Sequence, residues 1–187
     1  MRPGYLYLNN LFRSLWEQHA DLTRLAIISI VFDLPIKDHV IKRLLRNPED
    51  FKSALEPYYG NKTASQFANL LAEHLTLAAQ LVEANKSGDK KSAKIYEKKW
   101  YENASNIASF LSCINPCWSR EEWEKMLFTH LDFVKAQATN MLTKDYAKAI
   151  AIFDPYERQV LEMADIMSMG IIRQFPYKFV YSPPLNH

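Results

Sequence analysis

Glycine occurs only four times in 187 residues, at Gly4, Gly60, Gly88 and Gly170, and between these isolated breaks apolar residues recur at spacings of three and four. That rhythm marks amphipathic helices whose apolar stripe has to be buried against other helices. The expected fold is all-α: an up-down helical bundle of four to five long helices, with a short helical crossover after the first.

The first long helix is expected from about Leu8 to Phe32, with Leu8, Phe12, Leu15, His19, Leu22 and Ala26 on its stripe, ending before Pro35. The rhythm then shortens. Ile36 to Arg46 reads as a short helix, and Asn47-Pro48-Glu49-Asp50 as the start of another, with Asn47 as N-cap and Gly60 as its end. Residues 36–60 form the crossover. Thr63 and Gln66 have capping-box spacing ahead of a second long helix, whose stripe is Phe67, Leu70, His74, Leu77 or Ala78, and Leu81, and which stops near Gly88.

A third spans about Lys90 to Ile114, with Ala93, Tyr96, Trp100, Asn103, Ile107 and Phe110 inward, until Asn115-Pro116 breaks it. Ser119 and Glu122 box a fourth, which carries Trp123, Met126, Leu127, His130, Phe133, Val134, Gln137 and Met141 inward and ends near Leu142. The last helical region covers Asp145 to Gln174, where Asp154-Pro155-Tyr156-Glu157 is an internal start signal that kinks or splits it. Residues 176–187 are rich in proline and aromatic side chains and are expected to form an extended strap. With 48% hydrophobic residues the chain has material for one sizeable core, so residues 1–187 are read as a single domain.

Basic residues outnumber acidic ones only 23 to 21, which gives no field to attract nucleic acid or an anionic membrane, and neither is expected as a partner. The N-terminal residues lack the basic and apolar regions of a secretory leader, and the expected location is cytoplasmic. Cys113 and Cys117 are too few for a disulfide framework or a four-cysteine zinc site, and are read as reduced, structural thiols.

Three of the five histidines, His19, His74 and His130, fall near the middle of three different helices and on their apolar stripes. Helix midpoints share a level in such a bundle, so the three imidazoles should form one polar layer, joined by Asn103 and by Glu157 near the midpoint of the last helix. Buried polar groups need partners, and two readings supply them. In the first, His19, His74 and His130 ligate a transition metal, with Asn103 or Glu157 completing or orienting the site. Imidazole suits Zn, Fe, Ni or Cu, and a non-covalent haem ranks behind these. Such ligands must be neutral, so metal and stability would be lost together as pH falls below about 6.5. In the second reading the chain is a non-catalytic interaction or structural protein, and the histidines form a closed hydrogen-bond network.

No Glu-x-x-His pair, His-Glu-x-x-His, Cys-x-x-Cys-His or Gly-x-Ser-x-Gly occurs, which removes the paired motif of di-iron bundles, zinc-protease helices, covalent haem attachment and the nucleophile elbow. The scattered glycines cannot cradle phosphate. Met163, Met167 and Met169 have helical spacing and are read as core filler. Arg24 and Asp165 flank apolar stripes and either pair or serve as boundary charges.

The segments WEQHADLTRLAIIS from Trp16, KRLLRNPEDF from Lys42, LLAEHLTLAAQLV from Leu70 and MADIMSMGIIRQFP from Met163 resemble small bacterial all-helical proteins without a settled activity. Some of these carry the label acetylglutamate kinase. True acetylglutamate kinases have an α/β fold with glycine-rich phosphate loops, neither of which this chain offers. The resemblance therefore implies an all-helical fold and carries no catalytic residue over.

Overall fold

The computed structural model describes residues 3–179. Among these the chain forms α1 (Pro3–Val31), α2 (Lys37–Leu44), α3 (Asn47–Ser87), α4 (Lys90–Ile114), α5 (Arg120–Leu142), α6 (Tyr146–Ala151) and α7 (Phe153–Gln174), followed by a single 3-10 turn, Pro176–Phe179. The fold is the expected all-α bundle. The strap expected after Pro176 begins as that turn, whose Phe179 ring lies 5.2 Å from Tyr5, and residues 180–187 lie outside the described residues.

Several boundaries follow the local chemistry read from sequence. Gly88 adopts left-handed backbone (φ 76°, ψ 11°) to end α3, Asp89 accepts the Ser92 amide to start α4, and Ser119 accepts the Glu122 amide to start α5. Others differ. The first helix begins at Pro3, ahead of Leu8. The last region splits at Ile152 rather than at Asp154-Pro155: Asp145 caps α6, and Asp154 sits inside the first turn of α7 without capping it.

The largest correction concerns the crossover. Asn47 is not a cap, because its side chain is fully buried and turned toward α1. Gly60 ends the first of two helices within α3, as expected, but no loop follows: at φ 76° and ψ 163°, a conformation open essentially only to glycine, the chain kinks and resumes as helix at once. The second helix therefore starts directly after Gly60, with Thr63 and Gln66 inside its first turns rather than at its cap.

The bend sets the topology. Phe51, before it, packs on Phe12 of α1 with ring centroids 6.1 Å apart and on Phe67, after it, at 5.8 Å. At the opposite end the Lys86 ammonium donates to the Ile30 carbonyl at 2.7 Å. Hence α2 and the first arm of α3 carry the chain back along α1, and the second arm (61–87) then runs parallel to α1. The second arm of α3, with α1, α4 and α5, encloses the core, and α7 packs against α1 and α5. Phe12, Phe67, Trp100, Trp123, Leu131 and Met163 fill that core.

The lower end, near Gly60, is closely tied. Tyr59 donates to Gln174 Oε1 at 2.9 Å and accepts from the Asn115 amide at 2.9 Å, while Gln174 donates to the Ile114 carbonyl at 3.0 Å. The nitrogen-bearing side of the Trp118 indole lies against Gly170, where any Cβ would overlap it. The upper end is looser. There α2 is a short helix burying only Val40 and Leu44, which join Ala26 and Leu75 in a small cluster separate from the main core.

Candidate functional site

His19, His74 and His130 do converge. Their exposures are 1%, 3% and 1%, and ring centroids lie 5.3 Å apart for His19 and His130 and 6.2 Å for His74 and His130. The hydrogen bonds around them fix their chemistry. Asn47 Nδ2 donates to the Leu15 carbonyl at 3.1 Å, leaving Asn47 Oδ1 as acceptor, so His19 Nδ1 carries the proton donated to it at 3.2 Å. His19 Nε2 is therefore a bare acceptor.

The second histidine is fully committed. Asn103 Nδ2 donates to the Leu70 carbonyl at 3.1 Å and to Glu73 at 3.0 Å, so Asn103 Oδ1 accepts from His74 Nδ1 at 3.0 Å. His74 Nε2 in turn accepts the Trp100 indole N–H at 3.2 Å. Both ring nitrogens are occupied, and metal ligation at Nε2 would require Trp100 to let go. Asn103 orients His74 rather than facing a common centre. Among the described residues no three His, Cys, Asp or Glu side chains are grouped so as to hold a metal ion.

On α7 the inward residue is Tyr156, fully buried with its ring 5.3 Å from His130, whereas Glu157 next to it is half-buried on the flank. Successive residues on a helix point about 100° apart, so one position decides the difference. Asp165 pairs with Arg13 at 2.7 Å rather than with Arg24, whose guanidinium lies 4.4 Å above the Phe153 ring. Met163 and Met167 are core residues, while Met169 is exposed. Cys113 and Cys117 are exposed thiols rather than buried ones.

Burial dominates the electrostatics. Desolvation pulls His19 down from 6.5 to about 4, against a small opposing effect of its Asn47 bond. The same desolvation, aided by the neighbouring His19, takes His74 to about 3 and holds His130 well below the ordinary histidine range. All three are neutral at pH 7. Burial likewise pushes the Tyr156 hydroxyl far above its usual value.

Several polar atoms at this level lack partners. The indole nitrogens of Trp16 and Trp123 and Nδ1 of His130 are buried without hydrogen bonds, and all three residues border a cavity of about 10 Å³ beside His19 and His74. That space suits one water or one ion and does not admit a porphyrin. Gln159 lies near His130 and favours its protonated form, yet Gln159 Oε1 and His130 Nδ1 are both outside hydrogen-bonding geometry.

One turn along α1 from His19, Thr23 opens onto a feature that the sequence reading missed. A cavity of about 490 Å³ lies beneath α2, between α1 and the second arm of α3. Ala26, Ile27 and Ile30 of α1, Ile41 and Leu44 of α2, and Leu75, Ala78, Ala79 and Val82 of α3 supply most of its wall. Thr23 is 5% exposed, and its hydroxyl stands near that of Tyr156 without bonding to it, so both are unsatisfied. The Lys37–Glu83 ion pair, 3.2 Å, ties α2 to α3.

No protein-family model matches the chain, nor does any curated protein or solved structure. Among the described residues no helix is long and apolar enough to cross a membrane.

Proposed function

We propose that this bundle is a small-molecule-binding protein whose ligand sits beneath α2, beside but not in contact with the histidine layer. The observation that carries this reading is the cavity itself, about 490 Å³ in volume and lined mainly by aliphatic side chains of α1, α2 and α3. Ligand sites are typically apolar clefts of about 300–1,000 Å³ with a few polar groups to fix orientation. The histidines support the reading as structure rather than as chemistry, because His74 has both nitrogens engaged and His19 is locked by Asn47.

The test is titration with the neutral fluorophore N-phenyl-1-naphthylamine. Saturable one-to-one enhancement is expected, and Ala79→Phe, which fills the cavity wall, should abolish it while leaving the helical circular dichroism intact. Absence of saturable binding to the unmodified protein, or equal binding to the filled variant, would overturn the reading.

A second reading is favoured by the bare Nε2 of His19 and the unpartnered Nδ1 of His130, which border the same small cavity. In that reading His19 and His130 hold Zn, Fe, Ni or Cu, with His74 joining only by releasing Trp100. Elemental analysis of protein purified without chelators tests it: near-stoichiometric metal, lost in His130→Ala, is its expected result, and metal-free protein sinks it.

A further inference from the structure

A second, smaller space of about 210 Å³ opens between the second arm of α3, α4 and α5. It shares Ala78 and Val82 of α3 and Val134 of α5 with the cavity beneath α2, so these three small side chains form the partition between the two. Alone, the smaller space falls short of the roughly 300 Å³ at which ligand pockets begin. Joined past Val82 and Val134, the two make one passage across the upper half of the bundle, from the groove beneath α2 to the groove between α4 and α5. It crosses two interhelical spacings, roughly 16–20 Å, a length that suits an extended chain rather than a compact molecule.

The two ends differ in charge. Beneath α2 the polar lining lies on α3 and the start of α4, where Gln80, Ser87 and Ser92 are neutral and Glu83 and Asp89 acidic. At the other mouth stand Lys135, Glu97 and the exposed Thr139, over a floor of Leu81, Trp100 and Ala138. Among the described residues Lys135 is the one basic side chain that lines either space. Its ammonium pairs with Glu97 and lies 5.2 Å from the centre of the Tyr101 ring. The Glu97 side chain is 41% exposed and can turn into water when another carboxylate takes its place. An anion at the α2 end would instead meet two acids and no lining cation.

We infer that the ligand is a long-chain monocarboxylate, its carboxylate on Lys135 and its hydrocarbon passing between Val82 and Val134 into the aliphatic space beneath α2. This rests on the small-molecule reading above and names the class of molecule and its direction. The buried tail supplies the affinity. Exchange of Glu97 for the ligand's carboxylate keeps Lys135 paired and fixes which end faces out.

The experiment is displacement of N-phenyl-1-naphthylamine from beneath α2 at pH 7.5 by decanoate, dodecanoate and dodecan-1-ol, all below micelle-forming concentrations. Dodecanoate should displace the fluorophore, with each methylene beyond decanoate tightening binding about fourfold. Lys135→Met should weaken dodecanoate about tenfold or more while leaving dodecan-1-ol and the fluorophore unchanged. Ala138→Phe, which fills the smaller space alone, should weaken dodecanoate by at least as much while fluorophore binding and helical circular dichroism persist. Dodecanoate that fails to displace the fluorophore, or that either variant leaves unaffected, would overturn the inference even where the fluorophore binds. Loss of fluorophore binding by the unmodified protein is the separate outcome that removes the cavity reading, and the inference falls with it.

Discussion

A histidine held neutral by burial makes folding depend on acid. His19 takes up its proton near pH 6.5 when unfolded but only near pH 4 when folded, and His74 only near pH 3. Between those values the unfolded chain binds more protons, so stability is complete above about pH 7 and falls as pH drops. With three such groups the loss approaches about 4 kcal/mol per pH unit once all are protonated only in the unfolded state. Urea midpoints measured at pH 7.5, 6 and 5 should decline steeply; a midpoint constant over that range would contradict neutral burial. Acid lability therefore does not distinguish metal ligands from a hydrogen-bonded layer, since both must stay neutral. Asn103→Ala separates the parts of the layer more directly. It strands the His74 Nδ1–H and should cost about 1–3 kcal/mol in chemical denaturation, with no change in bound metal. The histidines and Asn103 were legible as inward residues because helical period is a local property. Asn47 was not: Asn-Pro-Glu-Asp has the composition of a helix start, and only the return of the crossover along α1 turns that asparagine into the partner of His19. Tyr156 takes the inward place expected for Glu157 because an aromatic ring gains from burial what a carboxylate would lose.

At the level of elements, the bend in α3 does what a loop would do elsewhere. Its two arms are continuous helix apart from Gly60, and an added Cβ there would meet nothing within 4 Å. The cost of Gly60→Ala is thus confined to backbone conformation, roughly 1–3 kcal/mol. Gly88→Ala, in the milder left-handed region, should cost roughly 1–2 kcal/mol. Thermal denaturation of the two variants checks the order; equal or reversed losses would show that the bend is not enforced by that one residue. Sequence located both breaks, since glycine amid helical spacing is a strong signal. It could not tell that the chain turns at Gly60 without a loop, because a reversal and a change of direction both need one residue at positive φ. Nor could it place the split before α7, where a Pro155 signal competes with Asp145 capping a short α6.

For the molecule as a whole, the number of long helices and the crossover followed from sequence, whereas the cavity did not. Periodicity says which face of each helix is apolar; it does not say whether the volumes on facing helices match. The mismatch falls beneath α2, the shortest piece of the crossover, which has too few large side chains to fill the space between α1 and α3. That space is open to solvent on one side, so α2 is held by few apolar contacts and by the Lys37–Glu83 pair. Local opening begins where such contacts are fewest. Amide hydrogens of α2 should therefore exchange well before those around Tyr59, Asn115 and Gln174, and equal protection at the two ends would contradict this; the molecule would breathe from one end only.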